Sequence, residues 1–317
     1  MKFTAVASLA AMGLLAAAPL AAQERVTYKS AKTGSSYYQM GVELAEAMKT
    51  GTDGAISVTV EESQGSVQNV MEVRARGGDY VFTTPPALVG AAQGAKGPFE
   101  GKGAPAFDEI RALFPIPSLT MHFVVAEKAG AQGLEDLAGK SVLLGSGSFG
   151  ATEGEKYLEL FGLTDSVEIA DSELSNAVAA LKNGQIDAFV TAGSYPAPNV
   201  IEAAASTPVT ILSMTDEQVA ETGRTRLVIP AGTYAGQDSD VVTTSLPVVA
   251  YATTKMSDDT AYTMTKTFWE EREALADSAK WWAAVTPELL ENITTQIHPG
   301  ALRYYEEIGA PITDAQR

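Results

Sequence analysis

Residues suited to holding a small anion recur along this chain, each time where the backbone turns into a helix. The segment Lys32-Thr33-Gly34-Ser35-Ser36-Tyr37-Tyr38 lies between a β-like run, Val26 to Lys29, and a helical stretch ending near Lys49. Small and polar residues followed by two aromatics make a poor core segment. Ser35 and Ser36 are good N-cap types, and Gly34 before them lets the backbone turn sharply and another molecule come close. The unpaired N–H groups of such a helix start attract an anion. A capped turn without a ligand has the same composition, so the recurrence matters. Ser63-Gln64-Gly65-Ser66 opens a helix in the same way, and Gly145-Ser146-Gly147-Ser148-Phe149-Gly150-Ala151-Thr152 stands between a strand and a further helix.

Other chemistries find less support. Gly145, Gly147 and Gly150 satisfy G-x-G-x-x-G, and Glu168 and Asp171 follow roughly 20 residues on, where a ribose-binding acid falls in dinucleotide sites. The pattern is short and lies in mid-chain, so a periplasmic nucleotide- or phosphate-using enzyme built on Gly145 to Gly150 is the alternative function. His122 and His298 are far apart without another histidine or a cysteine nearby, and a zinc site would need carboxylates for most of its ligands. His122 lies inside an apolar run and reads as a core residue. No G-x-S-x-G elbow occurs. Glu61-Glu62 and Asp258-Asp259 are sequence neighbours without the spacing of an acid and a base, and read as solvated surface. The chain is therefore read as a binding protein and not an enzyme, with no catalytic residue, metal or cofactor expected.

Composition narrows the partners. Against 22 Lys and Arg stand 39 Asp and Glu, a formal net charge of −17. Residues 1–22, with Lys2, an apolar run from Val6 to Leu20 and Ala21-Ala22 before Gln23, have the form of a secretory signal peptide, too short to span a bilayer comfortably. Its removal takes away one charge, that of Lys2. No later stretch is apolar for long enough to make a membrane helix, so the mature chain is expected to be periplasmic and not membrane-spanning. The acidity argues against nucleic acid or anionic lipid as a partner, and an anionic ligand has to be drawn in by local donors. Absence of cysteine excludes disulfides, thiol catalysis and thiolate metal sites. The length beyond the leader exceeds what one core serves, and two lobes are expected.

The elements that must position the loops alternate. Strand patterns at 26–29, 56–60 and 80–84 flank helices starting near Ser36 and Ser66, and Pro85-Pro86 fits the first turn of the next helix. Residues 94–108, rich in Gly, Pro and Ala without a period, read as a surface loop. A strand at 110–114 is expected to break at Pro115-Ile116-Pro117 before the apolar run Leu119 to Ala126. Strands at 141–144, 167–170, 186–191 and 209–212 alternate with helices over 149–161, 173–183 and 197–205, which predicts mostly parallel sheet with helices on both faces. A last extended run, 245–253, returns the chain to the first lobe, and the helices after it carry Trp269, Trp281 and Trp282, which are expected to pack onto that lobe.

Five segments resemble one family. Thr33-Gly34-Ser35-Ser36-Tyr37-Tyr38 with Gly41, Gly65-Ser66-Val67-Gln68-Asn69, Gly184-Gln185-Ile186-Asp187-Ala188, Ile229-Pro230-Ala231-Gly232-Thr233-Tyr234, and His298-Pro299-Gly300-Ala301 followed by Tyr304-Tyr305 resemble the TAXI branch of TRAP-transporter solute-binding proteins, in the family's order over residues 26–309. The resemblance implies a type II periplasmic binding-protein fold: two α/β lobes joined by crossing strands, with a ligand cleft between them. Lobe I would comprise residues 23–117 and 245–317, lobe II residues 118–244, with hinges near Ile116 to Leu119 and Thr243 to Leu246. It also implies a small carboxylate ligand, such as glutamate, glutamine, 2-oxoglutarate or a related dicarboxylate. The implied partner is an integral-membrane TRAP permease, often with fused subunits, that takes solute from the closed protein. A module signalling to a membrane sensor is a third reading.

Carried over by resemblance, ligand contacts would come from Thr33, Gly34, Ser35, Ser36 and Tyr37, with Ser66 from the second loop. The other lobe would supply Ser146, Gly147, Ser148 and Thr152, with Ser194 and Tyr195 from a later strand end. Hydroxyls and N–H groups would hold carboxylate oxygens, and the tyrosine would wall the cavity. Two departures matter. Lys32 stands where the family usually has a small residue, and Thr83-Thr84-Pro85-Pro86 stands where a glutamine and an aspartate are common. Lys32 as a charge partner, with Thr83 and Thr84 in place of the acid, favours a keto acid or dicarboxylate over glutamate.

Overall fold

The computed structural model describes residues 23–146 and 148–317. The expected signal peptide, residues 1–22, and the expected contact Gly147 lie outside the described residues. Three parallel strands open the fold. β1 (Glu24–Lys29) lies between β2 (Ile56–Glu61) and β3 (Tyr80–Thr84), joined through helices α1 (Ser36–Gly51) and α2 (Ser66–Glu72). Helix α3 (Pro86–Gln93) follows, with Pro86 at its start where the missing N–H leaves no bond unmade. Residues 94–108 are more ordered than their composition suggests. They hold two 3-10 turns, Gly97–Phe99 and Pro105–Glu109, and bury Phe99 edge-on against Phe107 at 5.8 Å.

The chain then enters β4 (Ile110–Ala126), a single strand where a break was expected. Its ladder with the returning strand explains the tolerance of proline. Ile116 pairs with Val248 and Leu119 with Leu246, so Pro117 and Ser118 face Pro247 alone at a bulge. Pro117 and Pro247 stand where the ladder is already interrupted, while Pro115 keeps its place in the ladder opposite Val249.

The second lobe contains β5 (Ser141–Leu143), α4 (Phe149–Leu160), β6 (Glu168–Ala170), α5 (Ala177–Lys182), β7 (Ala188–Gly193), α6 (Pro198–Ser206), β8 (Val209–Ile211), α7 (Asp216–Thr222) and β9 (Thr225–Ile229). β10 (Val241–Thr253) leads back to α8 (Asp258–Glu270), α9 (Arg272–Ser278) and α10 (Pro299–Glu307). The sheet order is β2-β1-β3-β10-β4-β7-β5-β6, with β8 on β4 and β9 on β10. Parallel pairing holds in the outer parts of the sheet. In the middle, β3, β10, β4 and β7 are antiparallel, because two long strands run in opposite senses through both lobes.

The C-terminal helices pack on the first lobe through aromatics. Phe268 stacks on Phe114 at 4.1 Å, and the indole N–H groups of Trp281 and Trp282 donate to one oxygen of Glu43 on α1 at 3.0 and 2.6 Å. In the second lobe His122 is 1% exposed. Its Nδ1 lies 3.1 Å from the Thr120 carbonyl, which can only accept, so Nδ1 carries the proton and Nε2 accepts from the Tyr234 hydroxyl at 2.9 Å. Tyr234 in turn accepts the Ala197 N–H at 2.8 Å. The imidazole is a satisfied core group.

Burial pushes the His122 imidazole down to about 4 from its ordinary 6.5. Below pH 6.5 the unfolded chain binds a proton that the folded chain refuses, so stability falls as pH drops from 6.5 towards 4. The loss from this one group is on the order of 3 kcal/mol between pH 7 and pH 4. His122→Gln is expected to flatten that part of the urea-midpoint profile. A variant with the wild-type slope would show that the imidazole is not its source.

Candidate functional site

Local capping chemistry brings helix starts to the space between the lobes. Ser35 caps α1 by accepting the Tyr38 N–H at 3.2 Å, and Ser148 caps α4 by accepting the Ala151 N–H at 3.0 Å. Gly65, with φ +117, turns the chain into α2 as only glycine readily does. These three starts border an interlobe cavity.

The floor is positioned by a few specific bonds. The Asn69 amide, fully buried on α2, donates to the Ser30 carbonyl at 2.7 Å and the Thr83 carbonyl at 3.0 Å, clamping the end of β3 to the residue that follows β1. On the other side α4 is anchored by Glu153, which accepts from Arg224 at 2.9 Å and Lys156 at 2.8 Å. The glycines of the G-x-G-x-x-G pattern have packing reasons. Gly145 has φ +79, and a Cβ on it would lie 2.8 Å from Leu174 Cβ, while one on Gly150 would lie 3.1 Å from Ala192. Close helix–strand approach accounts for Gly150, and a left-handed turn packed against the Leu174 turn accounts for Gly145.

The lobes touch across the cleft. Lys32 Nζ lies 2.7 Å from Glu173 Oε2, and the Ser194 N–H donates to Ser36 Oγ at 3.1 Å. Near the hinge strands, the Tyr37 hydroxyl donates to the Pro117 carbonyl at 2.8 Å and Ser194 Oγ to the Ser118 carbonyl at 2.7 Å. Burial pushes the Tyr37 phenol up, so it stays a donor and a wall.

Of the residues predicted from sequence, Lys32, Ser35, Tyr37, Ser66, Thr83 and Ser148 line the cavity. Thr33 and Gly34 border a neighbouring pocket, and the Thr33 N–H donates to Glu62 at 3.1 Å. Ser36 is buried in the lobe–lobe contact, and Thr84 is fully buried. Ser146 is exposed and donates to Asp171 at 2.9 Å; Thr152 is exposed on α4 and is no part of the cavity wall. Ser194 and Tyr195 border a separate groove of about 1090 Å³ together with Ser118 and Thr120. Strand alternation puts that groove on the face of β4 opposite Leu119, which faces the cavity.

Sequence reasoning missed the apolar walls: Leu119 on β4, Phe149 on α4, Ala192 on β7 and Val248 on β10. Their alternation was visible, but the face meeting a ligand is decided by the crossing of the long strands. Among the described residues, no group of three or more His, Asp or Glu side chains is placed to hold a metal ion.

Two α/β lobes joined by paired crossing strands, with a cavity between them, define the fold of periplasmic substrate-binding proteins. The periplasmic binding protein BugD matches with a TM-score of 0.57 at 13% identity, over 90% of this chain and 98% of that one. MatC from Rhodopseudomonas palustris, solved with bound malate, matches with a TM-score of 0.54 at 14% identity, over 90% and 97%. The model of the NMT1-like family matches residues 29–309, and the chain belongs to that family.

Ser36→Ala leaves the buried Ser194 N–H without its partner, a loss of about 1–3 kcal/mol from the closed arrangement. X-ray scattering is expected to give a larger radius of gyration for the unliganded variant than for wild type. Identical scattering would mean that this bond does not hold the lobes together.

Proposed function

We propose that this chain is the solute-binding subunit of a TRAP transporter of the TAXI type, working in the periplasm after removal of residues 1–22. It captures a small carboxylate between the lobes and hands it to an integral-membrane permease. The observation that carries this reading is the cavity itself, bordered by capped helix starts from both lobes and bridged by Lys32–Glu173 and Ser36–Ser194. Helix starts supply unpaired N–H groups and a favourable dipole for an anion. This is a way to bind one in a chain whose overall charge repels it.

Lobe I is assigned residues 23–117 and 245–317, and lobe II residues 118–244, with the hinge at the bulge where Pro117 and Pro247 meet. Ligand contacts bridging the lobes stabilise the closed arrangement over the open one. MatC, of the same fold, was solved with malate, which supports a carboxylate as the ligand class. Gly145 and Gly150 meet turn and packing needs that a binding protein has as well, so they lend the nucleotide-enzyme reading no support of their own.

A thermal-shift panel on residues 23–317 tests the proposal, with malate, 2-oxoglutarate, glutamate, short monocarboxylates, phosphate and NAD. A ligand at 100 times its Kd adds about 2.7 kcal/mol, a shift of several degrees. At least one of the carboxylates is expected to shift the midpoint and NAD to leave it unchanged. A response to NAD or phosphate alone would overturn the proposal.

A further inference from the structure

We infer that the cavity takes a monocarboxylate with an apolar body, and not a dicarboxylate or an α-amino acid; this rests on the binding-protein reading above. Lys32 is the one formally charged side chain among the described residues that line the cavity. It is already neutralised. Its side chain is 14% exposed, and its ammonium lies 2.7 Å from the carboxylate of Glu173, which is 58% exposed on the opposite lobe. The cation that the sequence offers to a ligand carboxylate is thus spent on closing the lobes.

Donors for one carboxylate remain. Thr83 is 3% exposed, borders the cavity, and its hydroxyl has no hydrogen-bond partner among the described residues. The hydroxyl is not one of the sealed-off polar atoms of the core; it is reached from the cavity and is free to donate to a ligand oxygen. The Ser66 hydroxyl is also unpartnered, and the start of α4 at Phe149 and Gly150 lies on the same wall. The rest of the lining is mostly apolar, with Ala31, Leu119, Phe149, Leu174, Ala192 and Val248, and its remaining polar side chains, Ser30, Ser35, Tyr37, Gln64 and Ser148, are all uncharged.

Each alternative ligand then carries a specific penalty. A second carboxylate would find no free cation on the wall, because Lys32 is paired with Glu173, and would be buried beside Leu119, Phe149 and Val248 with its charge uncompensated, which is strongly unfavourable. An α-ammonium group would find no acid on the cavity wall, because Glu173 lies beyond Lys32 and is paired with it. A branched or short aliphatic chain meets only favourable contacts there.

Three probes of similar size decide the matter by calorimetry on the mature chain. They are 4-methylpentanoate, L-leucine, which adds an α-ammonium to the same skeleton, and glutarate, which carries a second carboxylate at the far end of a chain of similar length. Binding of 4-methylpentanoate at least 10-fold tighter than either of the others is expected. Equal or tighter binding of glutarate or leucine would overturn the inference and leave the binding-protein reading standing. No heat from any of the three at 10 mM would overturn both.

Two variants probe the cause. Thr83→Val is expected to weaken 4-methylpentanoate about 10-fold, the range for a hydrogen bond to a charged group, with an unchanged melting midpoint in the absence of ligand. Glu173→Gln frees the Lys32 ammonium and is expected to move preference towards glutarate. A Glu173→Gln protein with wild-type preference would contradict the assigned role of the ion pair.

Discussion

Everything in this molecule depends on the antiparallel ladder between β4 and β10. The two strands pair from Thr120 opposite Ser245 to Ile110 opposite Thr253, and both lobes are built outward from them, β3 on one edge and β7 on the other. A continuous ladder of that length would be stiff. It is interrupted at Pro117, Ser118 and Pro247, on the line between the lobes, where no backbone bond opposes a change of angle. The strand that weakens the ladder also presents Leu119 to the cavity on one face and Ser118 and Thr120 to a groove on the other. The interruption of the ladder and the walls of the cavity and groove are consequently built from the same few residues.

Electrostatics operate at two scales. The chain is acidic overall, with a net charge of −17, yet the cavity walls are close to neutral once Lys32 is paired with Glu173. The features that suit the proposed anion there are short-ranged: hydroxyls, first-turn N–H groups and the partial charge of helix starts. Apolar side chains around those donors lower the local dielectric, which strengthens a correctly placed carboxylate contact and penalises a charge left without a partner.

Local chemistry was legible in the sequence. Ser35 and Ser148 cap their helices, Tyr80–Thr84 forms a strand and Pro86 starts a helix, because each depends on a few adjacent residues. Features set by distant residues were not. The continuity of β4 through its prolines follows from a bulge made with β10 over a hundred residues later. Phe99 and Phe107 order a segment that has no period to announce it. The partner of Lys32 is 141 residues away, so its charge read as available when the fold has already used it. Ser194 and Tyr195 stand at a strand end near the hinge, but on the groove side of β4, a distinction that alternation alone does not make without the topology.

The most direct measurement is mass spectrometry of small molecules released by denaturing protein purified under native conditions from its own periplasm. A protein that closes on an apolar monocarboxylate should release one such acid in near-stoichiometric amount. Release of a nucleotide, an amino acid or a dicarboxylate in that amount would contradict the account of the cavity.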